Sequence, residues 1–250
     1  MRLRLLRHAT LIVEFAGRKL LIDPMLSAPG AMPAIENSPN PRPNPLVPLP
    51  ATVQEIAQDL DAVLVTHTHR DHWDDAAARE LPREVPLLCQ PEDAQKLQGQ
   101  GFTHVQPLQT GLIWNALEVT RTSGQHGTGE IGRKMAPVSG FVLRGPGEDP
   151  LYIAGDTIWC AEVQQAIAQF RPAAIVVNAG AARFLEGDPI TMAAADVISV
   201  CRAAAPAKVI AVHMEAINHC LLTRQQLAAE VEASGLVKQV VIPQDGGWVA

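Results

Sequence analysis

The sequence predicts an α/β fold in which helices cover the faces of β-sheet, and three observations carry that prediction. The chain opens on alternating and hairpin-forming apolar segments. It then alternates short apolar runs with amphipathic ones, the signature of layered strands and helices. Its 250 residues, 47% of them hydrophobic, are enough to fill one large core.

The elements follow in chain order. Leu3 and Leu5 alternate with Arg2 and Arg4, the period of a half-buried strand. LIVEFAGRKLLID sets two apolar runs around Gly17 and Arg18, a hairpin signal. Residues 28–50 break the pattern. Eight of the chain's 20 prolines fall there, and proline lacks the N–H that a helix interior or central strand needs. Too little chain precedes this stretch for a separate core. It therefore reads as a long loop within one domain spanning 1–250, either a wall or lid over a site or a surface excursion.

Thr52–Leu60 predicts a helix, Ala62–Thr66 a buried strand, and a further helix starts near Asp74. Val85–Cys89 is a strand. PEDAQKLQ is a helix with Pro91 near its start and Gly99 beyond its end. LIWNALEVTRT reads as paired strands, and GFVLRG and LYIAGD as two more around Gly145, Pro146 and Gly147. In Ala161–Phe170, Val163, Ile167 and Phe170 share one helix face. AAIVVN is a strand, Met192–Ala205 a helix ended by Pro206, and KVIAVH a strand. Thr223 and Gln226 form a capping box for a helix to about Ser234, and KQVVIP closes the pattern.

Composition excludes several function classes. A formal charge of −6 with no block of like charges argues against gripping nucleic acid or anionic membrane by bulk charge. No apolar stretch approaches the ~20 residues of a membrane span, and Arg7, His8 and Glu14 interrupt the only segment resembling a signal peptide. Cys89, Cys160, Cys201 and Cys220 form no CxxC pair, which predicts buried thiols in a reducing, cytoplasmic setting.

The chemistry concentrates in VLVTHTHRDHWDD. An apolar strand ends and His67, His69, Asp71 and His72 follow at once. At this histidine content the order His-x-His-x-Asp-His arises by chance on the order of once in a few thousand sequences. Residues two apart in extended chain point to the same side, so His67 and His69 can reach one metal together. Asp71 and His72 come where the chain bends and can address a second position. Imidazole suits zinc and iron, and carboxylate can bridge two cations. Further ligands are expected at the ends of other strands. His126 follows LEVTRT in a glycine-flanked loop, Asp156 closes LYIAGD, and His213 closes KVIAVH.

THTHRDHWD, the His126 glycine loop, AGDT around Asp156 and AVHME around His213 resemble, in order, the metal motifs of the metallo-β-lactamase fold. The opening RHATLIVEFAGRKLLIDP is similar to the branch that contains the ascorbate-6-phosphate lactonase-like hydrolases. The resemblance implies a four-layer αβ/βα sandwich with the metals at one sheet edge. It implies His67, His69 and His126 on one metal, Asp71, His72 and His213 on the other, and Asp156 between them. The cofactors implied are two divalent ions per chain, zinc or manganese, with iron admitted.

A pair of such ions activates water, so the expected function is hydrolysis of a small molecule, a lactone or related ester, by a metal-bridging hydroxide. Asp71 is expected to orient the nucleophile or carry its proton. His219 stands between substrate contact and a backbone bond at a helix start. Cleavage of phosphodiesters and a non-catalytic metal-binding or redox role are the competing readings. The expected partner is a small-molecule substrate, with no nucleic acid and no membrane, and a homo-oligomer is compatible with the chain. His8 reads as a packed or surface residue, with the branch resemblance keeping a site role open, Asp23 as a strand-end turn residue or a group behind the metal ligands, and His104 as structural or exposed. Arg133, Lys134 and Arg183 read as solvated charges that could instead meet a substrate anion.

Overall fold

In the computed structural model, which describes residues 1–249, the chain folds into two mixed sheets of seven strands each. The first half supplies β1 (Arg2–Arg7), β2 (Thr10–Phe15), β3 (Arg18–Ile22), α1 (Val53–Ala57), β4 (Ala62–Val65), α2 (Asp75–Glu80), β5 (Leu87–Cys89), α3 (Pro91–Gly99) and β6 (Val105–Pro107). The second half supplies β7 (Gly111–Trp114), β8 (Leu117–Ser123), α4 (Gly129–Met135), β9 (Ser139–Gly145), β10 (Glu148–Ile153), α5 (Ala161–Phe170), β11 (Ala174–Asn178), α6 (Ala194–Ala203), β12 (Lys208–Val212), α7 (Arg224–Ala233), β13 (Val240–Val241) and β14 (Trp248–Val249).

The first sheet runs β14-β1-β2-β3-β4-β5-β6 and the second β13-β12-β11-β10-β9-β8-β7. Each half follows one plan. Antiparallel neighbours come first, joined by two-residue turns except for β8 and β9, which are linked through α4. Parallel strands follow, because the intervening helices bring the chain back to the same edge. Strand β14 crosses from the second half to pair with β1.

Burial shows the layers. One apolar cluster takes residues of both sheets, Leu5, Val13, Leu20 and Leu64 against Val119, Phe141, Ile153 and Ile210, and so fills the space between them. A second lies between the second sheet and α5, α6 and α7, and a third between the first sheet and α1, α2 and α3. The result is the helix–sheet–sheet–helix sandwich the sequence implied. The parallel strands β4 and β11 are buried along their whole length, which is why AVLV and AIVV read as unbroken apolar runs.

Most predicted elements form, and their ends are set by caps. The Thr52 and Thr223 side chains accept from the third residue of α1 and α7, and Asp74 does the same for α2. Helix α5 occupies its predicted span. Helix α1 stops at Ala57 and α6 at Ala203, shorter than their patterns, and α3 includes Gly99. Sequence reading missed α4, β6 and β14. Helix α4 has no buried residue and hence no apolar face to read, and β6 and β14 are short edge strands. All four cysteines are free, with Cys89, Cys160 and Cys201 buried as expected and Cys220 half-buried, and no described helix is long and apolar enough to cross a membrane.

A single edge collects chemistry. Strands β1 and β3 both run antiparallel to β2, and β4 runs parallel to β3, so β1, β3 and β4 end on the same side. Strands β8 and β10 both run antiparallel to β9, and β11 and β12 run parallel to β10, so these four also end together.

Candidate metal centre

His67 lies two residues beyond β4, Asp156 three beyond β10, His126 three beyond β8, and His213 directly after β12. The structure brings all seven predicted residues into three overlapping donor groups, each with its ligand atoms within 4.8 Å of one another. One is His67, His69 and His126. Another is His67, His72 and Asp156. The third is Asp71, His72 and His213, and it includes His8.

Asp156 sits at the middle. Its Oδ2 is 3.2 Å from His72 Nε2, 3.4 Å from His126 Nε2 and 3.8 Å from His67 Nε2. Its Oδ1 is 3.3 Å from His213 Nε2 and accepts from Asn178 Nδ2 at 2.6 Å. Asp71 Oδ2 lies 3.5 Å from His213 Nε2. Glycine makes room for this. Gly155 has φ +69, and a Cβ there would meet the Ser139 carbonyl oxygen.

The outer nitrogens of His67, His72 and His126 are tied down, which turns the inner ones toward a common centre. His126 Nδ1–H donates to the Ile190 carbonyl at 2.8 Å, and His72 Nδ1–H donates to Asp23 Oδ2 at 2.8 Å. Thr66 Oγ1–H donates to the same Asp23 oxygen at 2.7 Å, so the Thr66 oxygen accepts from His67 Nδ1–H at 3.0 Å. His67 is left with a buried Nε2 lone pair and no hydrogen-bond partner. The Nε2 atoms of His72 and His213 are only 3.3 Å apart. Converging lone pairs repel unless a proton or cation lies among them, and imidazoles backed by carboxylate or carbonyl are the usual dress of a metal site. The donor set therefore fits divalent cations.

Electrostatics agree. Burial alone would raise the Asp156 carboxyl, but His213, His72 and His126 hold it well below the usual carboxylate range. Burial acts the same way on Asp71, and His72, His213 and His8 outweigh it. Burial, with His72 and His69 alongside, pushes the His67 imidazole well below its ordinary value, so it is neutral and ready to ligate. His72 is the exception. Burial would lower it, but Asp156, Asp71 and Asp23 together hold its proton well above the ordinary value, a measure of how strongly the cluster attracts positive charge.

Two residues depart from their leading reading. His8 is neither exposed nor a mere packing residue. It is fully buried, its Nε2–H donates to Asp71 Oδ2 at 3.0 Å, and its ring centroid is 3.6 Å from that of His213. Its carbonyl accepts from the His213 N–H at 2.8 Å, which ties the two sheets together. Asp23 takes the second of its two readings, since its carboxylate sits behind His72 and Thr66. His8, Asp23 and His213 all have positive φ (59°, 43° and 68°), strain that a packed site can hold in place. The signal for His8 and Asp23 was the one that found the others, a polar residue just past a strand end. It needed the strand directions to be read.

His219 is buried beside the cluster without joining a donor group. Its Nδ1 has no partner, its carbonyl accepts from Arg183 N–H, and burial lowers its pKa to about 4. Arg133 and Lys134 are exposed on α4, with Lys134 paired to Glu130. Arg183 donates to the Gly187 carbonyl, and exposed His104 to that of Glu84.

The Asn218 side chain organises the proline-rich segment. Its Oδ1 accepts from Ile35 N–H and Asn44 Nδ2, its Nδ2 donates to Ser38 Oγ and the Pro39 carbonyl, and its backbone N–H donates to Asn44 Oδ1. Met32 and Asn44 pair as an antiparallel bridge. The segment is thereby fastened to the loop after β12, next to the donor groups.

Residues 18–214 match the family model described as the beta-lactamase superfamily domain. The chain is 37% identical to UPF0173 protein YddR of Bacillus subtilis over 249 residues, 98% of each. Among solved structures, it resembles the isothiocyanate hydrolase from Delia radicum gut bacteria with a TM-score of 0.95 and 36% identity, covering 100% of this chain and 99% of that one. It also resembles a chain described as a possible metal-dependent hydrolase from Veillonella parvula, with a TM-score of 0.96, 30% identity and coverage of 100% and 98%.

Proposed function

The chain belongs to the beta-lactamase superfamily and to its UPF0173 metal-dependent hydrolases, and from that premise we propose that it is a dinuclear hydrolase of small uncharged electrophiles, isothiocyanates first among them. The observation that carries the reading is the convergence of histidine Nε2 atoms from both halves of the chain on the two oxygens of Asp156. In this reading His67, His69 and His126 hold one cation, Asp71, His72 and His213 hold the other, and Asp156 serves both. When bound, two such ions, zinc or manganese, supply Lewis acidity and a water whose pKa is lowered toward neutrality.

The chain's own groups do the rest. Asp71, kept ionised chiefly by His72 and His213 and oriented by His8, positions the attacking water and takes its proton. His219, neutral near pH 7, donates a hydrogen bond to the heteroatom on which charge develops. For an isothiocyanate R–N=C=S, the water oxygen bonds to the central carbon and a proton passes to nitrogen. The C–N bond of the resulting thiocarbamate then breaks, with a proton moving to nitrogen, to release the amine R–NH2 and carbonyl sulfide. A full-length structural relative described as an isothiocyanate hydrolase favours this class over the lactones and esters that the sequence suggested, which would be opened by the same attack at a carbonyl carbon.

The test is elemental analysis of the purified protein, followed by a panel of isothiocyanates, lactones and phosphodiesters with zinc or manganese. Two ions per chain and turnover in the isothiocyanate arm are expected. Asp156→Asn should stay folded by circular dichroism, lose at least one ion and lose activity. Full activity with normal metal content in that variant would overturn the two-cation assignment.

A further inference from the structure

A cavity of about 200 Å³ opens beside Asp71, and its walls differ in chemistry from the donor groups. Met32, Ile35 and Ile217 line it, together with Asn44 and the exposed Arg70. Met32 and Ile217 are buried members of a small apolar cluster, with Ile35 packed against it, that stands apart from the three main cores. That cluster exists because Asn218 and Asn44 fix the proline-rich segment over the post-β12 loop, so the wall is formed in advance. Preformed apolar recesses with few polar groups are where small ligands bind.

We infer that this recess receives the apolar tail of the substrate, and that the substrate is an uncharged small molecule whose reactive carbon is joined to a group the size of one aromatic ring. The inference rests on the hydrolase reading above and adds the substrate's tail to it. Size supports it, since an apolar cavity of ~150 Å³ holds benzene and this one is somewhat larger. Charge supports it as well. Arg70 is accompanied in the lining by Glu36 and Asp71, so the recess carries no excess of positive charge for a phosphate or carboxylate. Arg133, Lys134 and Arg183, the cations that could have gathered around a phosphorylated substrate, are not part of the lining. The proline-rich segment is in this view the specificity wall of the site.

The experiment compares methyl, benzyl and naphthylmethyl isothiocyanates on the metal-loaded protein. It also measures 4-fluorobenzyl alcohol binding by fluorine NMR, which needs no turnover. Burying a ring of this size predicts a kcat/KM for benzyl ~10- to 100-fold above methyl. Ile35→Trp, which fills the recess, should bring that ratio to within about threefold and abolish alcohol binding. Met32→Ala, which enlarges it, should shift the preference toward naphthylmethyl. A benzyl-to-methyl ratio, or alcohol binding, that is the same in wild type and Ile35→Trp overturns the inference. So does benzyl phosphate binding that exceeds benzyl alcohol binding and is lost in Arg70→Ala, because the recess would then be an anion site. Alcohol binding that Ile35→Trp abolishes, without turnover of any isothiocyanate, would uphold the recess and reject the isothiocyanate reading instead.

Discussion

The smallest informative unit in this protein is the imidazole nitrogen that does not face the centre. Each such nitrogen with a partner fixes a tautomer: His126 through the Ile190 carbonyl, His72 through Asp23, His67 through Thr66. His8 applies the same logic to a carboxylate. It donates to Asp71 from a fully buried position, so Asp71 is presented in one orientation. His8→Gln should therefore weaken metal binding ~10- to 100-fold without unfolding the chain. Chelator competition measures this, and an unchanged affinity would return His8 to a packing role. His219 supplies a pH test. Its pKa falls from 6.5 unfolded to about 4 folded because burial disfavours the charged ring. On acidification the unfolded chain takes up this proton first. The stability linked to neutral His219 is thus complete above pH 6.5 and is lost as pH falls toward 4, about 3 kcal/mol in all. Melting curves of metal-free wild type and His219→Gln at pH 7 and pH 4.5 should differ in acid sensitivity by that order. Equal acid sensitivity would place the histidine's proton elsewhere.

At the scale of elements, the proline-rich segment and the loop after β12 behave as one unit held by Asn218. Its side chain takes part in four hydrogen bonds with residues 35–44, each worth about 1 kcal/mol net when buried. Asn218→Ala should cost about 2–4 kcal/mol and make residues 28–50 susceptible to limited proteolysis while α5 and the sheets stay intact. Resistance equal to wild type would show that packing alone holds the segment. This element also marks where sequence reading stopped. Its prolines announced a loop and ruled out helix and sheet, but the side chain that pins it is 174 residues from Asn44. Helices with an apolar face, such as α5, or a capping box, such as α7, were legible. Helix α4 was not, having no buried face.

The whole molecule places the proposed ligands of one centre on two sheets. His67, His69, Asp71 and His72 belong to the first half, and His126, Asp156 and His213 to the second. Any cation held by both halves binds the folded state alone and cross-links the sandwich. At metal 100-fold above its dissociation constant that linkage contributes ~2.7 kcal/mol, and for a chain of this size it moves the melting temperature by about 5–10 °C. Chelation should lower Tm by that amount and readdition of zinc or manganese restore it. A Tm indifferent to chelator would mean that the halves are held by the inter-sheet core alone.

What the sequence determined by itself was local and periodic: the apolar strands, the capped helices, and the seven candidate ligands, each standing just past the end of an apolar run. Those signals depend on neighbours along the chain, where backbone geometry alone sets which side chains meet. The tertiary structure decided what depends on strand direction and on contacts between distant segments. It brought β1 and β3 to the same edge as β4, and so put His8 behind Asp71 and Asp23 behind His72. It also folded the proline-rich segment against Ile217 to make a recess beside Asp71. A single chain carries no periodicity for such pairings, because each is fixed by the packing of two sheets rather than by the order of residues along either strand.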